Sequence, residues 1–129
     1  RGTVAKIGTV TVRRMQEEFG SRPSEIYAAV GPSICQDCYE VSEDVIEQFK
    51  ENFAEEQWDS LFYGKQDGKY QLDLWEANHQ IMLEAGIREE HISLPNLCTC
   101  CNPEFLFSHR ASHGKRGNLG ALLGIKKTK

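Results

Sequence analysis

The stretch IYAAVGPS, residues 26–33, decides how this chain is expected to fold. Its first five residues, 26–30, form a short apolar run whose length and flanks predict a buried β-strand. The glycine and proline that follow end the strand in a turn. In α/β proteins, a strand that ends in a glycine-containing turn is a common place for a ligand loop. The stretch therefore predicts a sheet-based fold with a candidate binding loop at residues 31–33.

Helices are predicted on both sides of this strand. Residues 3–19 carry apolar side chains at helical spacing, and Gly20 can supply the left-handed residue that follows the last turn. Ser42 is a candidate N-cap for a second helix, and Asp73 can cap a third helix that Gly86 ends. The apolar face of the second helix consists of Val45, Ile46, Phe49 and Phe53, and that of the third consists of Leu74, Ala77, Ile81 and Ala85.

The remaining elements complete an α/β pattern. Three further segments are expected to be strands: residues 91–94, 105–107 and 119–125. Residues 64–68 are expected to form a turn. Because helices and strands alternate, the pattern favours a single layered α/β domain, a mixed β-sheet flanked by helices, with no linker or internal repeat. Val30 and Leu122 are both expected to be buried in that sheet.

Composition and charge limit the possible classes of function. The chain has 129 residues, 40% of them hydrophobic, and a formal net charge of −4. This content supports an ordinary core, and the mild charge favours neither nucleic acid nor an anionic membrane as a partner. No apolar run approaches the roughly 20 residues that a membrane-spanning helix needs. No signal peptide is visible, so a cytoplasmic location is expected, and the missing initiator Met indicates a piece of a longer protein.

The cysteines allow more than one interpretation. They are Cys35, Cys38, Cys98, Cys100 and Cys101. An odd number without a signal peptide indicates a reducing compartment. The two CxxC pairs have the pattern of a zinc site, but residues 39–97 and two predicted helices separate them, and Cys100 has no evident role. We therefore expect reduced thiols in ordinary packing or loop positions, with no metal shared by the pairs. A zinc site and a redox dithiol remain alternatives.

One histidine has a setting that suits a functional site. His109 follows an apolar run and precedes a glycine-rich loop, which is typical of a strand end that faces a cleft. Ser108 is its immediate neighbour, and successive residues of a strand point to opposite faces, so a Ser-His dyad is not expected. His79 lies in a predicted helix and His113 in a loop, and both are expected to be solvated.

Four segments, taken in order, resemble one family. They are Arg-Gly-Thr at residues 1–3, the Gly-Pro-Ser-Ile to Cys-Tyr-Glu-Val segment at 31–41, Leu-Asp-Leu-Trp-Glu-Ala-Asn at 72–78, and the Leu-Cys-Thr to Phe-Ser-His-Arg segment at 97–110. The first resembles the end of a His-x-Gly-Trp-Arg-Gly motif. Together they are similar to the laccase-domain, or polyphenol oxidase-type (YfiH-like), proteins. Members of that family are zinc-dependent purine nucleoside enzymes.

The resemblance implies an activity and a position in the domain. Family members phosphorolyse adenosine, inosine, guanosine and methylthioadenosine, with phosphate as co-substrate, and also deaminate adenosine. Their zinc is held by two His and one Cys, all of which lie upstream of residue 1 here. Residues 1–129 are thus expected to be the C-terminal part of one laccase-type domain, to hold no metal ligand, and to be inactive alone, with exposed strand edges and apolar surface.

The resemblance and the residue chemistry together suggest site residues in this part of the chain. His109 and Arg110 are the candidate catalytic residues: Arg110 would hold phosphate or ribose, and His109 would hydrogen-bond the base or the ribose. The candidate substrate-binding residues are Arg1, Gly31, Ser33 and Ser108. A structural salt bridge is the alternative role for Arg1. Cys35 stands where the family usually has Gly, which leaves the turn geometry there open.

Two alternative functions remain. One is a copper-dependent polyphenol oxidase, or laccase, but copper sites of that kind need many histidines and this chain has four. The other is a non-enzymatic zinc-binding module built from the two CxxC pairs. The expected small-molecule partners are a purine nucleoside and phosphate.

Overall fold

The computed structural model describes residues 1–128. The helices and strands follow the predicted pattern only in part, since the helix at residues 55–61 and the strands at residues 40–41, 62–64 and 70–72 were not predicted. In chain order they are α1 (Ile7–Phe19), β1 (Ala28–Ala29), β2 (Glu40–Val41), α2 (Glu43–Asn52), α3 (Glu55–Leu61), β3 (Phe62–Gly64), β4 (Tyr70–Leu72), α4 (Leu74–Glu84) and β5 (Ile92–Ser93). Single 3₁₀ turns occupy Pro23–Glu25, Gln36–Cys38 and Glu89–His91. Within the described residues, no helix is both long and apolar enough to cross a bilayer.

The antiparallel part of the structure is a three-stranded sheet. Its strand order is β2-β4-β3, and Val41 pairs with Tyr70 on one side of β4. The hairpin between β3 and β4 closes where the Lys65 N–H donates to the Lys69 carbonyl at 2.7 Å. Gly68 adopts a φ of 79° there, a conformation that disfavours residues with a Cβ. The turn predicted at residues 64–68 is thus confirmed.

The parallel part joins two segments that are distant in sequence. Strands β1 and β5 pair in parallel, with Ala28 opposite Ile92. The pairing continues through an isolated parallel bridge between Ser33 and Cys98, where the Thr99 N–H donates to the Ser33 carbonyl at 3.1 Å. Both strands were predicted, although each has only two residues. Parallel and antiparallel pairing together confirm the predicted mixed α/β class.

The core lies between the antiparallel sheet and helices α2, α3 and α4. Its buried members are Val41, Ile46, Phe49, Phe53, Leu61, Leu72, Ala77 and Ile81. Most of these side chains belong to the apolar faces predicted for the helices that the structure shows as α2 and α4. Burying a large apolar side chain contributes about 1.5–3 kcal/mol, so burial of this cluster contributes substantially to the stability of the fold.

Helix ends follow local sequence signals with two differences. Gly20 is left-handed as predicted, and its N–H donates to the Gln16 carbonyl at 3.0 Å. Asp73 caps α4, since its Oδ1 accepts from the Glu76 N–H at 3.0 Å. Ser42 occupies the N-cap position of α2, but its hydroxyl bonds Asp44 instead of a backbone N–H. Helix α1 begins at Ile7 rather than residue 3, because residues 2–6 form turns.

Several predicted features of the C-terminal region are wrong. Residues 119–125 form no strand, and Leu122 is fully exposed rather than buried. Within residues 1–128 no neighbouring strand pairs with this segment, and an unpaired strand leaves its backbone groups to water. Residues 105–107 form a turn and a bend instead of a strand. Outside the C-terminal region, Val30 is half-buried rather than buried.

Candidate functional site

A cleft of about 650 Å³ opens beside the end of the parallel strand pair. Its lining residues are Pro32, Ile34, Tyr39, Thr99, Phe107, Ser108, His109, Arg110, Arg116, Gly117, Asn118 and Leu119. This set contains two arginines, one histidine and no carboxylate. Since guanidinium groups pair well with phosphate and carboxylate oxygens, the cleft is suited to an anionic ligand.

Arg110 is held in place by the segment that leads into β2. Its Nη1 donates to the Glu40 carbonyl at 3.1 Å, and its guanidinium carbon lies 5.4 Å from the centre of the Tyr39 ring. A guanidinium has five N–H donors, so this hydrogen bond uses only one of them. The arrangement orients Arg110 while leaving donors for a ligand.

Arg116 is a cleft residue that the sequence interpretation missed. Its Nη1 donates to the Gly117 carbonyl at 3.0 Å and to Asn118 Oδ1 at 2.8 Å. Gly117 lies against the Phe107 ring, where a Cβ would come within 2.9 Å of ring carbons. The loop therefore folds back onto the cleft. The sequence did contain a signal for Arg116, because it is a basic residue in the glycine-rich loop that follows His109.

Ser108 and His109 both line the cleft, but in different ways. Ser108 is buried, and its Oγ accepts from the Ala111 N–H at 3.1 Å while its carbonyl accepts from the Ser112 N–H at 3.1 Å. It thus starts a turn and does not end a strand as predicted. His109 is exposed, so its ring is available to a ligand. The substrate-binding role of Ser108 stays a prediction.

The other candidate substrate-binding residues lie outside the cleft lining. The Ser33 hydroxyl accepts from Trp75 Nε1 at 2.6 Å and donates to the Gly31 carbonyl at 3.1 Å. The first of these hydrogen bonds ties the 31–33 loop to α4, the second lies within the loop, and Pro32 lines the cleft. Arg1 is exposed and is not part of the lining. Substrate contacts by Arg1, Gly31 and Ser33 therefore stay predictions.

The two CxxC pairs meet beside the cleft. The Sγ atoms of Cys35, Cys38, Cys98 and Cys101 all lie within 4.8 Å of one another. Residues 39–97 were expected to keep the two pairs apart, and this expectation is wrong. Strands β1 and β5 pair in parallel, and the bridge between Ser33 and Cys98 extends the pairing, so both CxxC pairs lie at the same end of these strands. Ordinary core packing does not describe Cys101, which is exposed.

Backbone donors surround one sulfur of this cluster. Cys98 Sγ accepts from the Cys35 N–H at 3.2 Å and from the Cys101 N–H at 3.4 Å. Burial of Cys98 disfavours its thiolate, yet these backbone hydrogen bonds lower the pKa of the Cys98 thiol to about 7. Burial and the neighbouring thiols raise the pKa of Cys38 far above its usual value. The Cys98 thiol therefore ionises more readily than the Cys38 thiol.

Of the three remaining histidines, His79 and His91 pack against neighbouring side chains. The expectation that His79 is solvated is wrong, because its side chain is only 14% exposed and lies between Glu76 and Glu89. His113 is exposed as expected, and His91 stacks on Tyr27 with 3.9 Å between ring centres. Within residues 1–128, no histidine belongs to a group of three or more ligand atoms placed to hold a metal ion.

The chain is similar in sequence to one family of known proteins. Residues 1–126 match the family model described as multi-copper polyphenol oxidoreductase laccase. The chain is 37% identical over 126 residues to a purine nucleoside phosphorylase, YlmD, from Bacillus subtilis, covering 98% of this chain and 45% of that protein. It is 36% identical over 110 residues to an adenosine deaminase from an unknown prokaryotic organism, covering 85% of this chain and 41% of that protein.

A solved structure agrees with the sequence comparisons. The crystal structure of YlmD from Geobacillus stearothermophilus superposes with a TM-score of 0.84 and 36% identity, over 91% of this chain and 43% of that one. The chain thus spans less than half the length of these relatives. The resemblance seen in the motifs is confirmed, and the chain belongs to the multi-copper polyphenol oxidoreductase laccase family.

Proposed function

We propose that this chain forms the phosphate-binding wall of the active site in a purine nucleoside phosphorylase. The full-length protein would cleave adenosine, inosine, guanosine and methylthioadenosine with phosphate, and would also deaminate adenosine. The observation that carries the proposal is the cleft lined by Arg110 and Arg116 without any carboxylate. The names of the relatives, purine nucleoside phosphorylase and adenosine deaminase, support the same class of substrate.

The charges of the cleft residues suit binding of the phosphate anion that the reaction consumes. In phosphorolysis, a phosphate oxygen bonds to C1′ of the ribose while the N-glycosidic bond breaks, and the base leaves with the bonding electron pair and gains a proton. Arg110 and Arg116 would hold the phosphate, since planar guanidinium groups bind phosphate oxygens in pairs. His109 would hydrogen-bond the ribose or the base. Exclusion of carboxylates prevents repulsion of the phosphate anion.

The residues of this cleft do not fit the zinc site that the resemblance implies. That site needs two histidines and one cysteine, whereas the cleft lining contains His109 and no cysteine. We therefore assign the catalytic zinc to the other part of the full-length protein and derive no step through it here. We also propose a reducing, cytoplasmic setting, which the five free cysteines support.

The copper oxidase alternative has less support in this chain. Oxidases with several copper ions use clusters of histidine ligands. Among the residues that the structure describes, no histidine is placed in such a cluster. The name of the family does not supply those ligands, so phenol oxidation is not proposed.

Replacing Arg110 tests the phosphate role. In the full-length protein, we expect Arg110→Ala to raise the KM for phosphate roughly 10- to 100-fold, the size of one lost hydrogen bond to a charged group. The measurement is release of free base from inosine over a range of phosphate concentrations, together with zinc quantitation. Arg13→Ala, on the exposed surface of α1, is the matched control and should leave the KM unchanged.

Adenosine deamination provides an internal control, because it consumes water and not phosphate. The Arg110→Ala variant should keep most of its deaminase activity in phosphate-free buffer. Loss of zinc in this variant would contradict the proposal, since Arg110 is assigned to substrate and not to metal. An unchanged KM for phosphate would contradict it as well.

A further inference from the structure

We propose that Cys35, Cys38, Cys98 and Cys101 bind one structural Zn²⁺ ion through four thiolates. This ion is separate from the catalytic zinc of the proposed function, and the inference does not depend on that function. All four Sγ atoms lie within 4.8 Å of one another. Two pairs of cysteines, each with CxxC spacing, are the usual ligand set of a closed zinc site.

Two of the distances between the sulfurs are close to those of a tetrahedral site. Zinc–sulfur bonds of about 2.3 Å place the corners of a regular tetrahedron about 3.8 Å apart. Cys35 and Cys101 have their Sγ atoms 3.9 Å apart, and those of Cys38 and Cys101 are 3.4 Å apart. A metal ion can therefore enter with small side-chain movements and without a change of fold.

The local backbone supports thiolates. The N–H groups of Cys35 and Cys101 both donate to Cys98 Sγ, at 3.2 Å and 3.4 Å. Hydrogen bonds to a ligating atom fix its orientation and stabilise its charged form. Cys35 is the N-cap of the 3₁₀ turn Gln36–Cys38 and Cys38 is its last residue, and the two sulfurs lie within 4.8 Å of each other.

The position of the cluster indicates a structural role. Four protein ligands leave no open coordination position for water or substrate, and none of the four cysteines lines the cleft. Their neighbours Tyr39 and Thr99 do line it. Strands β1 and β5 have only two residues each, so their ladder alone is a weak link. A bound ion would fasten the two segments that form this side of the cleft.

Packing alone does not explain the cluster. Cys98 is buried, but Cys35 and Cys38 are partly exposed and Cys101 is exposed, whereas cysteines that serve only as small core residues are normally enclosed. The four thiols also come from two separate turns that converge on one point. Convergence of soft ligands is what a zinc ion requires.

Metal analysis of matched variants tests this site. We expect the full-length protein, purified with reductant and without chelator, to lose about one equivalent of zinc per chain on Cys101→Ser, with zinc affinity at the remaining sulfurs lowered on the order of 100-fold or more. Cys101 is exposed, so this variant should fold even if Cys98→Ser does not. Cys100→Ser is the control, because Cys100 lies outside the group of four, and it should keep its zinc.

Cobalt substitution gives a second measurement that is independent of activity. The Co²⁺-loaded protein should show the thiolate-to-cobalt charge-transfer absorption of a tetrahedral site, and Cys101→His should retain the metal with weaker charge transfer. Unchanged zinc content in Cys101→Ser would overturn the inference, and so would equal zinc loss in Cys100→Ser. Disulfides without metal in the reduced preparation, detected by intact mass, would overturn it too. None of these results depends on phosphorolysis.

Discussion

At the scale of single residues, His79 shows how neighbouring carboxylates change the pKa of a side chain. Its Nδ1 lies 3.3 Å from Glu76 and its Nε2 lies 2.9 Å from Glu89. Burial disfavours the charged imidazole, but the hydrogen bonds to the two carboxylates outweigh burial, so the pKa of His79 is raised above its usual value. The contacts of His79 with Glu76 and Glu89 therefore join α4 to the 3₁₀ turn Glu89–His91 and favour the charged form of the imidazole.

This pairing makes stability depend on pH. A raised pKa in the folded state means that the pair contributes fully below the unfolded pKa of about 6.5 and is lost as pH rises through the folded pKa. We expect Glu89→Gln to lower the free energy of unfolding by roughly 0.5–1 kcal/mol at about pH 5.5, because Glu89 is largely exposed. The effect should be much smaller at about pH 9.

Urea unfolding at the two pH values measures this difference, and an NMR titration of His79 reports its pKa directly. Glu90→Gln is the control: Glu90 pairs with Arg88 at 3.3 Å, and an arginine does not titrate in this range. Its effect should be the same at both pH values. A Glu89→Gln effect that does not change with pH would contradict the assignment.

At the scale of elements, the starts of α2 and α4 form a natural comparison. Both helices have a residue of good N-cap type directly before them. Asp73 accepts the Glu76 N–H at 3.0 Å, whereas the Ser42 side chain makes no cap hydrogen bond. The residue types at positions 42 and 73 identified both as N-cap candidates. Only the side-chain conformation shows that Asp73 makes the cap hydrogen bond and that Ser42 does not.

This difference predicts unequal costs of substitution. Asp73→Ala should destabilise the protein by about 1 kcal/mol, because an N–H in the first turn of α4 loses its acceptor. Ser42→Ala should cost clearly less, since no N–H depends on it. Chemical denaturation of both variants measures the two values. Equal costs would contradict the assignment of a working cap to Asp73 and an unused one to Ser42.

At the scale of the whole molecule, the parallel pairing of β1 and β5 has the widest consequences. It places the 31–33 loop beside residues 97–99, assembles one side of the cleft, and brings both CxxC pairs together. Apolar side chains remain exposed at Leu122, Leu123 and Ile125. The chain also spans only 45% of its Bacillus subtilis relative.

From this coverage we expect that the 129 residues alone do not phosphorolyse inosine or adenosine. The cleft offers arginines for phosphate, but the zinc ligands that the resemblance implies are not in its lining. Assays of free base release should give no turnover for the chain alone and turnover for the full-length protein. Full activity of the chain alone would refute the proposed division of roles.

The sequence by itself determined the local features of this protein. Helical periodicity and capping residues located α1, α2 and α4, turn residues located the β3–β4 hairpin, and an apolar run located β1. These features depend on neighbours within a few residues, which a pattern can show. The motif around His109 and Arg110 likewise identified two residues that line the cleft.

Only the tertiary structure decided which distant residues meet. Each CxxC pair follows a predicted strand by a few residues, so parallel pairing of those strands would have brought the cysteines together, but periodicity does not specify strand partners. Arg116 enters the cleft because its loop folds back on Phe107. The apolar run at 119–125 is unpaired and exposed in this chain, since a strand needs a partner as well as a pattern. Long-range pairing is a property of the assembled fold, and no local signal encodes it.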